Sequence, residues 1–107
     1  MPRRFDIDRV YFEDEAEAEY LEASQIYAGE ADALAGEFEA EVERCAALIL
    51  EHPKAAPLLK GRVLRRKVLR RFPYSLLYAV ETDRIRIVAL AHHRSRPGYW
   101  RHRRSAS

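Results

Sequence analysis

The hydrophobic period changes from helical to alternating at His52-Pro53, and that change sets a pair of helices ahead of a block of strands. Before the break, Ala16, Tyr20, Ala23, Ser24 and Tyr27 recur at helical spacing, and so do Leu34, Phe38, Val42, Cys45, Ala46 and Ile49. Each set draws one stripe on a 3.6-residue helix, and glutamates fill the remaining faces. After the break the spacing is two. Tyr74, Leu76, Tyr78 and Val80 share one face of a strand, and Ile85, Ile87 and Ala89 share one face of the next, against Arg84, Arg86 and Val88. Separate blocks of helix and strand define an α+β chain.

Local signals set the expected boundaries. Arg9–Phe12 is short, β-branched and aromatic, so it reads as a strand. Asp14, with Glu17 three residues later, is the expected N-cap of a helix over 14–28. Gly29 is expected to end that helix in the left-handed conformation. Asp32 is expected to cap the second helix. His52-Pro53 stops it, because the residue before proline is pushed out of helical geometry. A link of three to four residues predicts an antiparallel helix hairpin. Residues 53–61 (PKAAPLLKG) form a loop from which Leu58 and Leu59 should tuck onto the core. Arg62–Leu69, Tyr74–Glu81 and Arg84–Ala91 then predict a three-stranded antiparallel meander, with Phe72-Pro73 between the first two strands and Thr82-Asp83 as a tight turn. The helix hairpin should cover one face of this small sheet and leave the other open. The tail after Ala91 turns at Pro97-Gly98, and its last few residues should be mobile.

At 107 residues the chain is read as one domain, 1–107, with a basic C-terminal tail over 94–107. Its 48% hydrophobic content suffices for one modest core. No run approaches the ~18 apolar residues of a membrane span. The N-terminus lacks the apolar segment of a signal peptide, so the expected compartment is the cytoplasm. Cys45, a lone cysteine, excludes an internal disulfide and reads as core. His92 and His93 are adjacent and point to opposite faces of a strand, a poor metal pair. Four scattered glycines build no phosphate-cradling loop, and no cofactor is implied.

Charge divides along the same boundary. Residues 1–51 carry fifteen Asp/Glu and four Lys/Arg, a net of −11; residues 52–107 carry two and fifteen, a net of +13. Only Glu81 and Asp83 accompany the fifteen cations in sequence, which points to a polyanion or an acidic protein as partner. Among these cations are Arg65, Arg66, Lys67, Arg70 and Arg71 on and after one strand, Arg84 and Arg86 on another, and Arg94, Arg96, Arg101 and Arg103 in the tail. Tyr99 and Trp100 interleave with the last group, a pattern suited to nucleic acid. A solvated face of snorkelling arginines is the plainer reading.

With this order of elements, particular residues resemble the ParE/RelE superfamily of bacterial type II toxins. They are Glu22-Ala23 to Tyr27, Phe38 with Glu41-Val42, His52-Pro53, Gly61 with Val63 and Arg65-Arg66, Phe72-Pro73-Tyr74 with Leu77-Tyr78, Ile85, Ile87 and Ala89 to His92, Arg94, and Pro97-Gly98-Tyr99-Trp100. The similarity runs over about residues 9–101 and is strongest for plasmid-stabilisation, ParE-like members; Ser95 stands where many relatives carry arginine. The resemblance implies a cytoplasmic toxin with no cofactor, neutralised by a cognate antitoxin, which acts on translation by metal-independent mRNA cleavage or on DNA gyrase. For cleavage it implies Arg65, Lys67, His92, Arg94 and Tyr99 as catalytic candidates. Arg66, Arg70, Arg71, Arg84, Arg86, Arg96, Trp100 and Arg101 would contact target or antitoxin. A non-toxic RNA- or protein-binding module of the same fold is the alternative.

Overall fold

The computed structural model describes residues 9–59, 61 and 63–103. Val10–Phe12 forms β1, Asp14–Glu30 α1 and Asp32–Glu51 α2; Arg65–Val68, Tyr74–Val80 and Ile85–His92 form β2, β3 and β4, and Tyr99–His102 a short 3-10 helix. The sheet has four strands in the order β1-β4-β3-β2. The expected meander forms, with β2 antiparallel to β3 and β3 antiparallel to β4. β1 joins its far edge, parallel to β4, with Val10 beside Ile85 and Phe12 beside Ile87. A parallel pair needs a long crossover, and the helix pair lies within that connection.

The helices start and stop differently from the expectation. Glu13, not Asp14, is the N-cap of α1, and it makes no side-chain cap bond. Its N–H instead donates to the Ile87 carbonyl at 2.9 Å, prolonging the β1–β4 pairing by one residue before the chain turns. Asp14, Glu15 and Glu17 then sit in the first turn, where the helix dipole favours acids. Gly29 remains inside α1. The link to α2 is the single residue Ala31, extended at φ −168° and ψ 137°, so Asp32 is a first-turn residue rather than a cap. Ala31 closes one helix by donating to the Tyr27 carbonyl at 2.9 Å and opens the next by accepting from Leu34 at 3.0 Å.

Between helices and sheet the core centres on Phe38, which is fully buried. Its ring lies 5.9 Å from Tyr20, 5.2 Å from Tyr27, 5.4 Å from Phe72 and 5.5 Å from Tyr74. Tyr74, Leu76 and Tyr78 of β3 and Ile85 and Ile87 of β4 face this core, as their alternation predicts.

The far face of the sheet is not open. Leu64, Leu77, Ala79, Val88, Ala89 and Trp100 bury a second cluster there, flanked by Leu59, Ala91 and Tyr99. A bulge creates part of it. β3 residues Leu77 and Tyr78 pair with Ala89 and Ile87, leaving Val88 as an extra residue in β4. The extra residue shifts the alternation by one, so Ala89 joins Val88 on the far face and Leu90 takes its place on the helix side.

The first meander strand is shorter than Arg62–Leu69, and Arg62 lies outside the described residues. The preceding loop covers part of the outer edge of β2. Arg66 N–H donates to the Pro57 carbonyl at 3.1 Å, and Leu59 N–H to that of Leu64 at 2.8 Å. Leu59 packs on the second cluster, whereas Leu58 stays exposed.

Glu41 ties α2 to the β2–β3 turn. Its carboxylate accepts from Arg44 Nε and Nη2 at 2.7 and 2.8 Å and from Arg70 N–H at 2.6 Å. The Arg44 hydrogen bond comes first in lowering its pKa from 4.5 to about 2, against the opposing effect of burial. The side chain is 11% exposed, so solvent screens part of this effect. Because the folded pKa lies below the unfolded one, Glu41 stabilises the fold above pH 4.5 and loses that contribution as pH falls towards 2. The loss should amount to roughly 2–3 kcal/mol. Urea midpoints across this range should fall less steeply in Glu41→Gln than in the parent; equal slopes would refute the assignment. Burial, followed by the Glu41 charge, pushes the Cys45 thiol up to about 11, which leaves it protonated at neutral pH and suits core packing.

Candidate functional site

Polar chemistry concentrates on the far face, beside the second cluster. Arg66 lies opposite Leu77 across the β2–β3 pair, and Ser75 opposite Ala91 across β3–β4. Ser75 is 2% exposed, in the middle of an apolar run, so its hydroxyl requires partners. It has two. Arg66 Nε donates to Ser75 Oγ at 3.1 Å, and His93 Nε2 lies 3.0 Å from the same oxygen. His93 is held there by its N–H, which donates to the Pro73 carbonyl at 2.8 Å beyond the end of β4. These three residues border a groove of about 340 Å³, with Leu77, Ala91 and Trp100 as apolar lining and Arg96 and Arg101 from the tail.

The tail is fixed over this face by Glu19 of α1. Beyond Ile87, β1 no longer covers the edge of β4, and charged side chains take its place. Glu19 accepts from Leu90 N–H at 3.0 Å, and Arg103 Nη1 donates to the Val88 carbonyl at 2.9 Å. Arg103 Nη2 donates to Glu19 at 2.8 Å, and Tyr99 Oη donates to the same carboxylate at 2.6 Å. Burial, then the bond to Glu19, raises the Tyr99 pKa far above the ordinary tyrosine value. Its hydroxyl is therefore a fixed neutral donor. The described tail is docked as far as Arg103; residues 104–107 lie outside the described range.

The catalytic candidates from sequence are not all brought together: His92 and Tyr99 share the groove, whereas Arg65 and Lys67 do not reach it. Arg65 and Lys67 stand opposite Tyr78 and Leu76, on the helix-covered face. Arg65 Nη1 donates to the carbonyls of Lys54 and Ala56 at 3.1 and 2.7 Å, and Lys67 lines a small pocket with His52 and Tyr78. His92 contributes to the groove lining, but its ring is edge-on to Tyr74 at 4.9 Å and its Nδ1 accepts from Arg94 N–H at 2.9 Å. Tyr99 reaches the groove's lining with its hydroxyl committed to Glu19. Arg94 lies outside that lining.

The binding candidates divide as well. Arg71 pairs with Glu37 at 2.8 Å, Arg84 with Glu81 at 2.9 Å, and Arg86 with Glu81 and Glu13 at 2.8 and 3.2 Å. Arg71 holds its place at a positive φ of 68°, a conformation that costs a non-glycine residue about 1 kcal/mol. Arg70 is exposed and uses its backbone N–H on Glu41. Trp100 is largely buried. Arg66, Arg96 and Arg101 remain at the groove. The charge split is thus partly closed by ion pairs between the acidic and basic halves. Sequence reasoning did not single out Ser75, Glu19 or the anchoring role of Arg103. A lone serine in an apolar strand was the available signal for Ser75; Glu19 gives none, because it looks like the other α1 glutamates.

Among the described residues, no group of three or more His, Cys, Asp or Glu is placed to hold a metal ion, and no helix is long and apolar enough to cross a membrane. No curated protein matches the sequence. A solved structure, the chromosomal ParDE TA system from P. aeruginosa, is similar in fold at a TM-score of 0.68 and 15% sequence identity, covering 78% of this chain and 94% of that one. The family model for the ParE toxin of the type II toxin–antitoxin system, parDE, matches residues 10–97. With that match over most of its length, the chain belongs to the ParE toxin family of type II toxin–antitoxin systems.

Proposed function

We propose that this ParE-family chain is a cytoplasmic toxin that arrests growth by acting on DNA gyrase and is neutralised by a cognate antitoxin. The separation of the proton-transfer candidates supports gyrase over mRNA as the target. RNA cleavage needs a base, an acid and a charge stabiliser around one phosphate. Arg65 and Lys67 lie on one face of the sheet, and Tyr99 on the other with its hydroxyl bound to Glu19. The exposed arginines Arg66, Arg96 and Arg101 instead supply a cationic surface with no ion-paired carboxylate among the described residues, suited to an acidic target or an acidic antitoxin segment.

Induced expression in a bacterium should stop growth with a DNA-damage response and intact messages. Co-expression of the neighbouring small gene should relieve it. Arg96→Ala/Arg101→Ala should weaken the arrest at unchanged protein level. No arrest at good expression would overturn the toxin reading, and mapped mRNA cuts without DNA damage would overturn the gyrase reading. One observation favours cleavage as the second reading: His93, adjacent to Ser75 and Arg66, is a histidine within a cationic groove.

A further inference from the structure

The groove on the far face has the features of a small-molecule site. We propose that it binds a nucleoside phosphate, with the phosphate on Arg66 beside Ser75 and His93 and the base against Leu77, Ala91 and Trp100. This does not depend on which target the toxin has.

Charge is the first argument. Arg66, Arg96 and Arg101 line one groove, and among the described residues none of them has a carboxylate at ion-pair distance. Other arginines of this chain, such as Arg71, Arg86 and Arg103, do find one. Three like charges held together without a counter-charge favour a bound anion. Geometry is the second. Arg66 spends only Nε on Ser75, which leaves its two terminal nitrogens for the paired bonds that arginine makes with phosphate. Ser75 holds Arg66 Nε and His93 Nε2 at 3.1 and 3.0 Å, which fixes the free Arg66 terminal nitrogens beside the His93 ring at the groove.

Shape is the third. Inorganic phosphate alone would leave most of the 340 Å³ unfilled. The rest of the lining combines Leu77, Ala91 and the Trp100 indole with polar groups, and pockets of about 300–1,000 Å³ of this mixed kind are typical of small ligands. Gly98 contributes to the rim. It sits at φ 75°, and a Cβ there would lie 2.6 Å from Arg101 Nε. Glycine therefore lets the Arg101 guanidinium lie against the Pro97-Gly98 turn beside the groove.

Trp100 is the only tryptophan, so its emission reports on the groove directly. Titrating the full chain with AMP, adenosine, inorganic phosphate and a short single-stranded oligonucleotide, with amide chemical shifts as a second readout, tests the proposal. AMP should perturb Trp100 and the amides of Ser75 and His93 saturably, at least tenfold more tightly than adenosine or phosphate. Arg66→Ala should weaken AMP at least tenfold with an unchanged circular dichroism spectrum, and Gly98→Ala should weaken it through Arg101. No response to millimolar AMP would overturn the proposal. So would equal binding by Arg66→Ala, equal affinity for adenosine or phosphate, or binding of the oligonucleotide without AMP. The last would make the groove a backbone-tracking surface instead.

Discussion

Replacing Glu19 with alanine should destabilise the protein by roughly 3–5 kcal/mol and release its C-terminal segment, because truncating one partner of a buried ion pair leaves the other uncompensated. Three donors lose the Glu19 carboxylate together: the Arg103 guanidinium, the Tyr99 hydroxyl and the Leu90 N–H. The Arg103 side chain is only 8% exposed and would keep only the Val88 carbonyl and a longer, 3.5 Å ion pair to Glu15, so it must either leave the fold or remain poorly compensated. The first outcome pulls Trp100 away from Leu77, Val88 and Ala89. Urea denaturation should show the loss of stability, and Trp100 emission should move to longer wavelength before global unfolding. Tyr99→Phe removes one of the three donors and should cost only about 1 kcal/mol. The double variant Glu19→Leu/Arg103→Met should recover much of the loss, since an apolar pair has no charge to strand. A Glu19→Ala variant within 1 kcal/mol of the parent, with unshifted emission, would rule out this latch.

Phe38→Ala should produce a loss of similar size, about 3–5 kcal/mol, by a different route. The ring is fully buried and meets aromatic rings from α1, the β2–β3 turn and β3 at between 5.2 and 5.9 Å. Its removal opens a cavity that rings on four sides cannot collapse to fill, and it also removes the stacked contact with Tyr20 and the edge-to-face contact with Phe72. With folding free energies of about 5–15 kcal/mol, this would leave the chain marginal. Phe38→Leu retains most of the volume and should cost clearly less. Thermal unfolding with equal losses for the two variants would contradict the cavity argument. The two sites also differ in what they report: Phe38→Ala should weaken both faces of the sheet together, whereas Glu19→Ala should loosen the far face first.

Helix-side burial was legible in the sequence because period alone encodes it. The stripe Phe38, Val42, Cys45, Ala46 and Ile49 and the alternation Tyr74, Leu76, Tyr78 are buried as their spacing requires. Caps were read less well. Asp14 and Asp32 each stand one residue inside a helix, because Glu13 was still paired with β4 and Ala31 alone could make the reversal. Capping preferences are worth about 1 kcal/mol, small enough for strand pairing and packing to override. On β4, the bulge at Val88 exchanged the faces of Ala89 and Leu90, which no alternation rule anticipates.

The candidate site was legible in composition but not in arrangement. The sequence placed the cations in the second half, with Tyr99 and Trp100 among them, and these residues do meet the sheet. It could not tell which arginines are neutralised, because their partners Glu13, Glu19 and Glu37 lie in the other half of the chain. His92 and His93 were correctly placed on opposite faces, but only the fold assigned His93 to Ser75 and His92 to Tyr74.

By itself, then, the sequence determined the α+β order, the helix-side core and the separation of charge, since each is a local or periodic property of the chain. Tertiary structure alone decided that the tail covers the far face, that Glu19 and Arg103 hold it there, and that Arg66, Ser75 and His93 meet in one groove. Those arrangements rest on contacts between residues separated by up to 84 positions, and such pairings leave no period in a sequence.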